Sequence, residues 1–121
     1  MKEPINDCAR MIHAENRRWW LDLNTGESLA ANQFFVPAKI MMAVTELAEA
    51  VEGHRKNSMD EKLPHRPAIE VELADALIRI LDLGGGLNLD IGGAVVEKLA
   101  YNRSRADHTT EGRQAEGGKA Y

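Results

Sequence analysis

The sequence predicts an all-α fold, and three features carry that expectation. Apolar residues recur three and four positions apart, as in Ile40, Val44, Leu47 and Val51, a spacing that lines one face of a helix. No segment shows the every-second-residue alternation of a half-buried strand, and no internal repeat is present. The apolar stretches are divided by short links holding proline or glycine, residues that end helices. Four helices with short links make a bundle-like domain.

The first helix is expected from near Pro4, a residue tolerated in a first turn, to about Leu23. Ile5, Ala9, Ile12 and Trp19 recur near helical spacing, while His13, Asn16 and Trp20 share another side. NTGESLAANQ reads as a loop, being rich in Asn, Thr, Gly and Ser. The second helix is expected from around Pro37 to about Lys56, with Ile40, Val44, Leu47 and Val51 as its apolar seam. KNSMDEKLPHRP, charged and holding two prolines, is a connector. A third helix should run from about Pro67 to Leu83 and stop at Gly84-Gly85-Gly86. Asp90 can cap a fourth, IGGAVVEKLAYNRSR, whose first turn Gly92 and Gly93 weaken. From Ser104 the chain is polar, with Gly112, Gly117 and Gly118. The expectation is a helical domain over 1–108 and a flexible tail over 109–121.

Composition narrows the function classes. A chain of 121 residues suggests one domain with a modest core. Hydrophobic residues make up 44% and aromatics 5%, so aliphatic packing must dominate. Fifteen basic residues against 19 acidic leave a net charge of −4, which argues against a nucleic-acid duplex as partner, because that binding needs phosphate neutralisation. Cys8 is the only cysteine, so no intrachain disulfide is possible and a cytoplasmic location is expected. MKEPINDCARM lacks the apolar core of a signal peptide. No apolar run approaches the roughly 20 residues that span a bilayer, so no membrane partner is expected.

The third helix, VELADALIRILDL, is apolar on most sides but carries Glu72, Asp75, Arg79 and Asp82 in one stripe. The second helix carries Glu46 and Glu49, with Met42, Ala43 and Ala50 nearby. One isolated Glu-x-x-Glu is an ordinary solvated face. Two such pairs on consecutive, mostly apolar helices converge if the helices pack antiparallel. Like charges in a poorly solvated site raise one another's pKa or recruit a cation. Neither stripe offers enough lysines to balance the acids, so a hard divalent cation is expected, Mg²⁺ or as a substitute Mn²⁺. Di-iron bundles need Glu-x-x-His pairs, and none of His13, His54, His65 and His108 follows a Glu at that spacing. Zinc fits poorly with one cysteine and scattered histidines. Mg²⁺ completes its shell with waters and substrate phosphates, which points to a phosphorylated substrate.

Glu46-x-x-Glu49 followed by Glu72-x-x-Asp75 resembles the signature of the MazG-like all-α NTP pyrophosphohydrolases. EKLAYNRSRADH resembles that family's Lys-x-x-x-Asn-x-x-Arg segment, here Lys98, Asn102 and Arg105. ELADALIRILDL, a short loop and NLDIGGAVVEKLAYNRSR look most like the dCTP-pyrophosphatase branch. The likeness spans roughly residues 36 to 108. It departs at Gly53-His54, where members of that branch often place an aromatic residue, and so leaves the preferred base open.

The resemblance implies a MazG-type domain that hydrolyses a nucleoside triphosphate to the monophosphate and pyrophosphate. In that picture Glu46, Glu49, Glu72 and Asp75 hold Mg²⁺, and the general-base role falls to Glu49, with Glu46 as the other catalytic carboxylate. Lys98, Asn102 and Arg105 would meet the phosphates. Lys39 is a further phosphate candidate, equally readable as a surface charge. Of the two adjacent tryptophans one should plug the core; Trp20, sharing its side with His13, is taken as the one stacking on a base. Arg79 is expected to pair with Asp75 or Asp82. Two alternatives stay open: a hydrolase of phosphoribosyl-ATP type, and a non-catalytic helical oligomerisation module with a structural cation site. The apolar girth of the second and third helices exceeds what two neighbours can hide. The resemblance accordingly implies a homodimer or homotetramer, a dimer of dimers.

Overall fold

Helical spacing translates into five helices in the computed structural model, which describes residues 1–105 and 110–120. They are α1 (Lys2–Asn16), α2 (Phe35–Lys56), α3 (Ala68–Gly86), α4 (Ile91–Ser104) and the short α5 (Thr110–Gln114). Among the described residues no strand forms, and two isolated bridges, Leu21 with Ser28 and Met59 with Pro67, pin the loops. The architecture is the all-α bundle that the sequence predicts. Polar composition did not foretell α5, and the expected domain limit at residue 108 lies outside the described residues.

Each helix end has a local cause. The expected first helix, Pro4 to Leu23, is instead α1 followed by a tighter 3-10 turn over Arg17–Trp20. That turn sends Trp20 inward while leaving Trp19 half exposed. Pro37 sits in the first turn of α2, where its missing N–H would have had no partner. α2 ends at Asn57 in the left-handed region, φ 49°. Asp90 caps α4 by accepting from the Gly93 N–H at 2.9 Å. It also accepts from Asn6 at 2.7 Å and pairs with Lys2 at 3.4 Å. These contacts, the Asn6 hydrogen bond foremost, hold its carboxyl below the usual carboxylate range.

The expected stop at Gly84-Gly85-Gly86 is corrected: α3 runs through all three glycines. Their role is close approach. A Cβ on Gly85 would strike the backbone carbonyl of Ala9, and one on Gly86 would strike the Trp20 ring. The absence of side chains there lets α1 and the 3-10 turn lie against the end of α3, which offsets the usual entropy cost of helical glycine.

α3 is the central element. It packs against α2 on one side and α1 on the other, while α4 lies on α1. α2 and α3 run antiparallel: Gly53 late in α2 meets Ala68 at the start of α3, and Glu46 earlier in α2 meets Arg79 later in α3. The seam between them is built from small residues, with Ala43, Ala50, Ala68 and Ala76 buried. Small side chains bring the two backbones near each other and therefore bring their acidic stripes near each other.

The expected apolar seam of α2 faces outward. Ile40, Val44, Leu47 and Val51 are 44–60% exposed, and Leu73 and Leu77 on α3 are 48% and 54% exposed. Alanines and Gly53 make the intramolecular contact instead, leaving the large aliphatic side chains outside.

Candidate functional site

The antiparallel α2–α3 pair sets the geometry of the acids. Glu46 comes from the middle of α2; Glu72 and Asp75 come from successive positions on one face of α3. One carboxylate oxygen from each of these three lies within 4.8 Å of the others. All three side chains are partly buried. The environment answers this crowding electrostatically. Burial, reinforced by the neighbouring Glu46 and Glu49 carboxylates and their negative charge, pushes the Glu72 carboxyl up to about 7. Burial and then the Glu46 charge raise Asp75, with Asp60 adding to the rise and Arg79 opposing it.

Glu49 stands apart from the triad. It is exposed on α2, yet close enough to influence Glu72. Of the four carboxylates expected to hold the ion, three lie within 4.8 Å of one another, and Glu49, the expected base, is outside that group.

Whether these residues suit a cation can be read from one atom. Glu72 Oε2 is buried with no hydrogen-bond partner among the described residues. A buried polar atom without a partner carries a desolvation penalty. A hard oxygen-ligated ion beside it would remove that penalty, and three carboxylates without nitrogen or sulfur ligands suit Mg²⁺ or Mn²⁺. The donor set fits such an ion.

Two cavities meet at the triad, sharing Glu46 and Asp75. The smaller, about 400 Å³, runs toward α1 and is bordered by Asn16, Trp19, Lys39, Arg79 and Asp82. The larger, about 860 Å³, opens toward the α2–α3 connector, where Glu49, Lys56, Ser58 and Lys62 face it.

The floor of the smaller cavity is a polar cluster around Asp82, which is only 6% exposed. Its carboxylate receives the Trp20 indole N–H at 2.9 Å, meets His13 Nδ1 at 2.9 Å and pairs with Lys39 Nζ at 3.5 Å. The expectation that Trp20 stacks on a base is therefore corrected. Trp20 is 5% exposed, edge-on to His13 and Phe35, and committed to Asp82. Trp19 is 50% exposed and borders the cavity. His13 likewise braces Asp82 and does not line either cavity. Lys39 does face the smaller cavity, its ammonium held over the Trp20 and Phe35 rings.

Lys98, Asn102 and Arg105 line neither cavity. The reason is topological: α4 packs on α1, away from the α2–α3 cleft. Lys98 and Arg105 lie over the Tyr101 ring at 4.7 and 5.7 Å. The side-chain oxygen of Asn102 is buried without a hydrogen-bond partner among the described residues.

Arg79 pairs with neither acid expected of it. Its Nε–H donates to Glu46 Oε1 across the helix pair at 3.0 Å. Asp82 has no need of it, since three other groups already meet that carboxylate. Trp19, Asn16 and the connector residues Lys56, Ser58 and Lys62 border the cavities without having been singled out for the site. The charged connector was the one visible signal for that last group.

Among curated proteins the chain is similar to dCTP pyrophosphatase 1 of Mus musculus and of Rattus norvegicus. Each match is 30% identical over 113 residues and covers 85% of this chain and 59% of the relative. The chain thus spans less than two thirds of the length of these relatives. No family model matches it, and no solved structure does. No helix among the described residues is long and apolar enough to cross a membrane.

Proposed function

We propose that the chain hydrolyses nucleoside or deoxynucleoside triphosphates to the monophosphate and pyrophosphate, with Mg²⁺ held by Glu46, Glu72 and Asp75. The observation that carries this reading is the convergence of three carboxylates within 4.8 Å around an orphaned Glu72 oxygen, at the junction of two cavities. The similarity to dCTP pyrophosphatase 1 supports it from an independent direction.

When bound, the ion supplies positive charge that polarises the phosphate chain. The protein's own groups do the rest. Glu49, exposed at the rim, accepts a proton from the attacking water. Lys39, pre-positioned by Asp82 and the aromatic rings beneath it, meets phosphate or base oxygens. Trp19 offers its exposed ring to the base, while His13 and Trp20 hold Asp82 in place beneath. The use we propose for this activity is removal of surplus or noncanonical nucleotides, a role in pool control.

The reading includes assembly. The exposed aliphatic stripe on α2 and its neighbours on α3 are covered by a second copy of the chain, in a homodimer or a dimer of dimers. A neighbouring copy also supplies Lys98, Asn102 and Arg105 to the phosphates, which α4 cannot do within its own chain. The exposed Cys8 thiol is in keeping with a cytoplasmic location.

A panel of canonical and modified NTPs and dNTPs, assayed with Mg²⁺ by pyrophosphate release, tests the reading. Turnover that disappears in Glu72→Gln and Asp75→Asn, with helical content intact, is expected. No pyrophosphate from any member of the panel overturns it.

A further inference from the structure

Among the groups that border the acidic triad, one is already a cation. Arg79 sits one turn beyond Asp75 on α3 and reaches across to Glu46 on α2, its Nε–H 3.0 Å from Oε1. Glu46 belongs to the triad itself, and its side chain is only 13% exposed. The guanidinium therefore neutralises a carboxylate that the proposed ion also requires. Its other donors make no hydrogen bond among the described residues, and Arg79 borders the smaller cavity. A guanidinium has five N–H donors in a planar fork suited to phosphate oxygens.

We propose that Arg79 is the site's resident counter-cation, bound to Glu46 in the empty protein and transferred to the substrate's phosphates when a divalent ion takes Glu46. The proposal rests on the hydrolase reading and adds a regulatory consequence to it. An ion arriving alone meets a carboxylate already paired and a positive charge beside it. An ion arriving with a triphosphate brings anionic oxygens that draw the guanidinium away. Metal and nucleotide consequently bind with positive coupling, and by linkage each raises the other's affinity by the same factor. Free cations bind the site more weakly until substrate is present.

Two features of the geometry favour exchange over a fixed brace. A single hydrogen bond anchors Arg79 to Glu46, where a structural arginine commonly uses a bidentate fork. The other acid a turn away, Asp82, is already met by His13, Trp20 and Lys39, so the guanidinium is not drawn to it. Freed from Glu46, the fork has the open cavity before it.

The test measures binding without turnover. Mn²⁺ affinity is measured by electron paramagnetic resonance and calorimetry for wild type, Arg79→Gln and Arg79→Lys, with and without a triphosphate whose α–β bridge is a non-hydrolysable imido group. In the absence of nucleotide, Arg79→Gln is expected to bind Mn²⁺ about tenfold more tightly than wild type. With the analogue present that advantage shrinks or reverses, and the coupling between ion and analogue falls by a similar factor. Arg79→Lys, which keeps the charge but not the fork, should fall between the two. Equal or weaker Mn²⁺ binding by a folded Arg79→Gln without nucleotide overturns the proposal and leaves Arg79 as a brace. Wild type that binds neither Mn²⁺ nor the analogue overturns the hydrolase reading itself, and the two failures are told apart by that control. Circular dichroism and thermal melting of each variant confirm that the fold is retained.

Discussion

Replacing Glu72 by Gln should stabilise the metal-free protein at alkaline pH and leave it nearly unchanged in acid. Burial and the neighbouring Glu46 and Glu49 raise the Glu72 carboxyl from its ordinary 4.5 to about 7 in the folded chain. A carboxyl raised on folding binds its proton more tightly in the native state. Its favourable contribution is thus complete below about 4.5 and is lost as pH rises through about 7. At about 1.4 kcal/mol for each tenfold change, that rise sets a ceiling of roughly 3 kcal/mol. The site is partly open to solvent, and screening reduces the realised effect to roughly 1–2 kcal/mol. For a domain of this size that corresponds to a melting-temperature difference of about 4–8 °C. The assay is differential scanning calorimetry with chelator present, from pH 4.5 to 8, comparing Glu72→Gln with wild type. The gap between the two should open with rising pH and close again when Mg²⁺ is added to wild type at pH 8. Melting curves that stay parallel across the range would refute the claim that the acids crowd one another.

Three other perturbations test the frame that holds the site. Gly85→Ala places a methyl group against the Ala9 carbonyl, a backbone atom that cannot swing aside, and should cost about 1–3 kcal/mol in urea unfolding. Trp20→Phe removes the indole N–H from Asp82 and should cost about 1–3 kcal/mol, with nucleotide affinity falling as Lys39 loses its support. Asp90→Ala removes the cap of α4 and should lower the urea midpoint at neutral pH. Because Asp90 is held below 3.8, its contribution is present above that value and disappears as pH falls through its lower folded-state pKa. The difference between Asp90→Ala and wild type should therefore vanish in strong acid.

Four of the five described helices and the acidic stripes on two of them were legible because each rests on local spacing. Glu46, Glu72 and Asp75 sit three or four positions from other acids, and an antiparallel hairpin brings such stripes together without further information. What the sequence misled on depends on tertiary approach. A triple glycine reads as a stop until another helix and an indole ring lie against it. Trp19 and Trp20 are chemically identical neighbours, and only the 3-10 turn decides which faces inward. The periodic stripe of Ile40, Val44, Leu47 and Val51 was legible as an apolar face, but periodicity does not report what covers it. Lys98, Asn102 and Arg105 keep helical spacing, but the packing of α4 on α1 carries them away from the acids of their own chain.

Anomalous diffraction at the manganese edge, on crystals grown with Mn²⁺ and the non-hydrolysable triphosphate, asks where a divalent ion goes. It should appear between α2 and α3, coordinated by oxygens of Glu46, Glu72 and Asp75 and by the phosphate chain. Manganese density at another location, or nucleotide bound with those three side chains turned from it, would contradict the assignment.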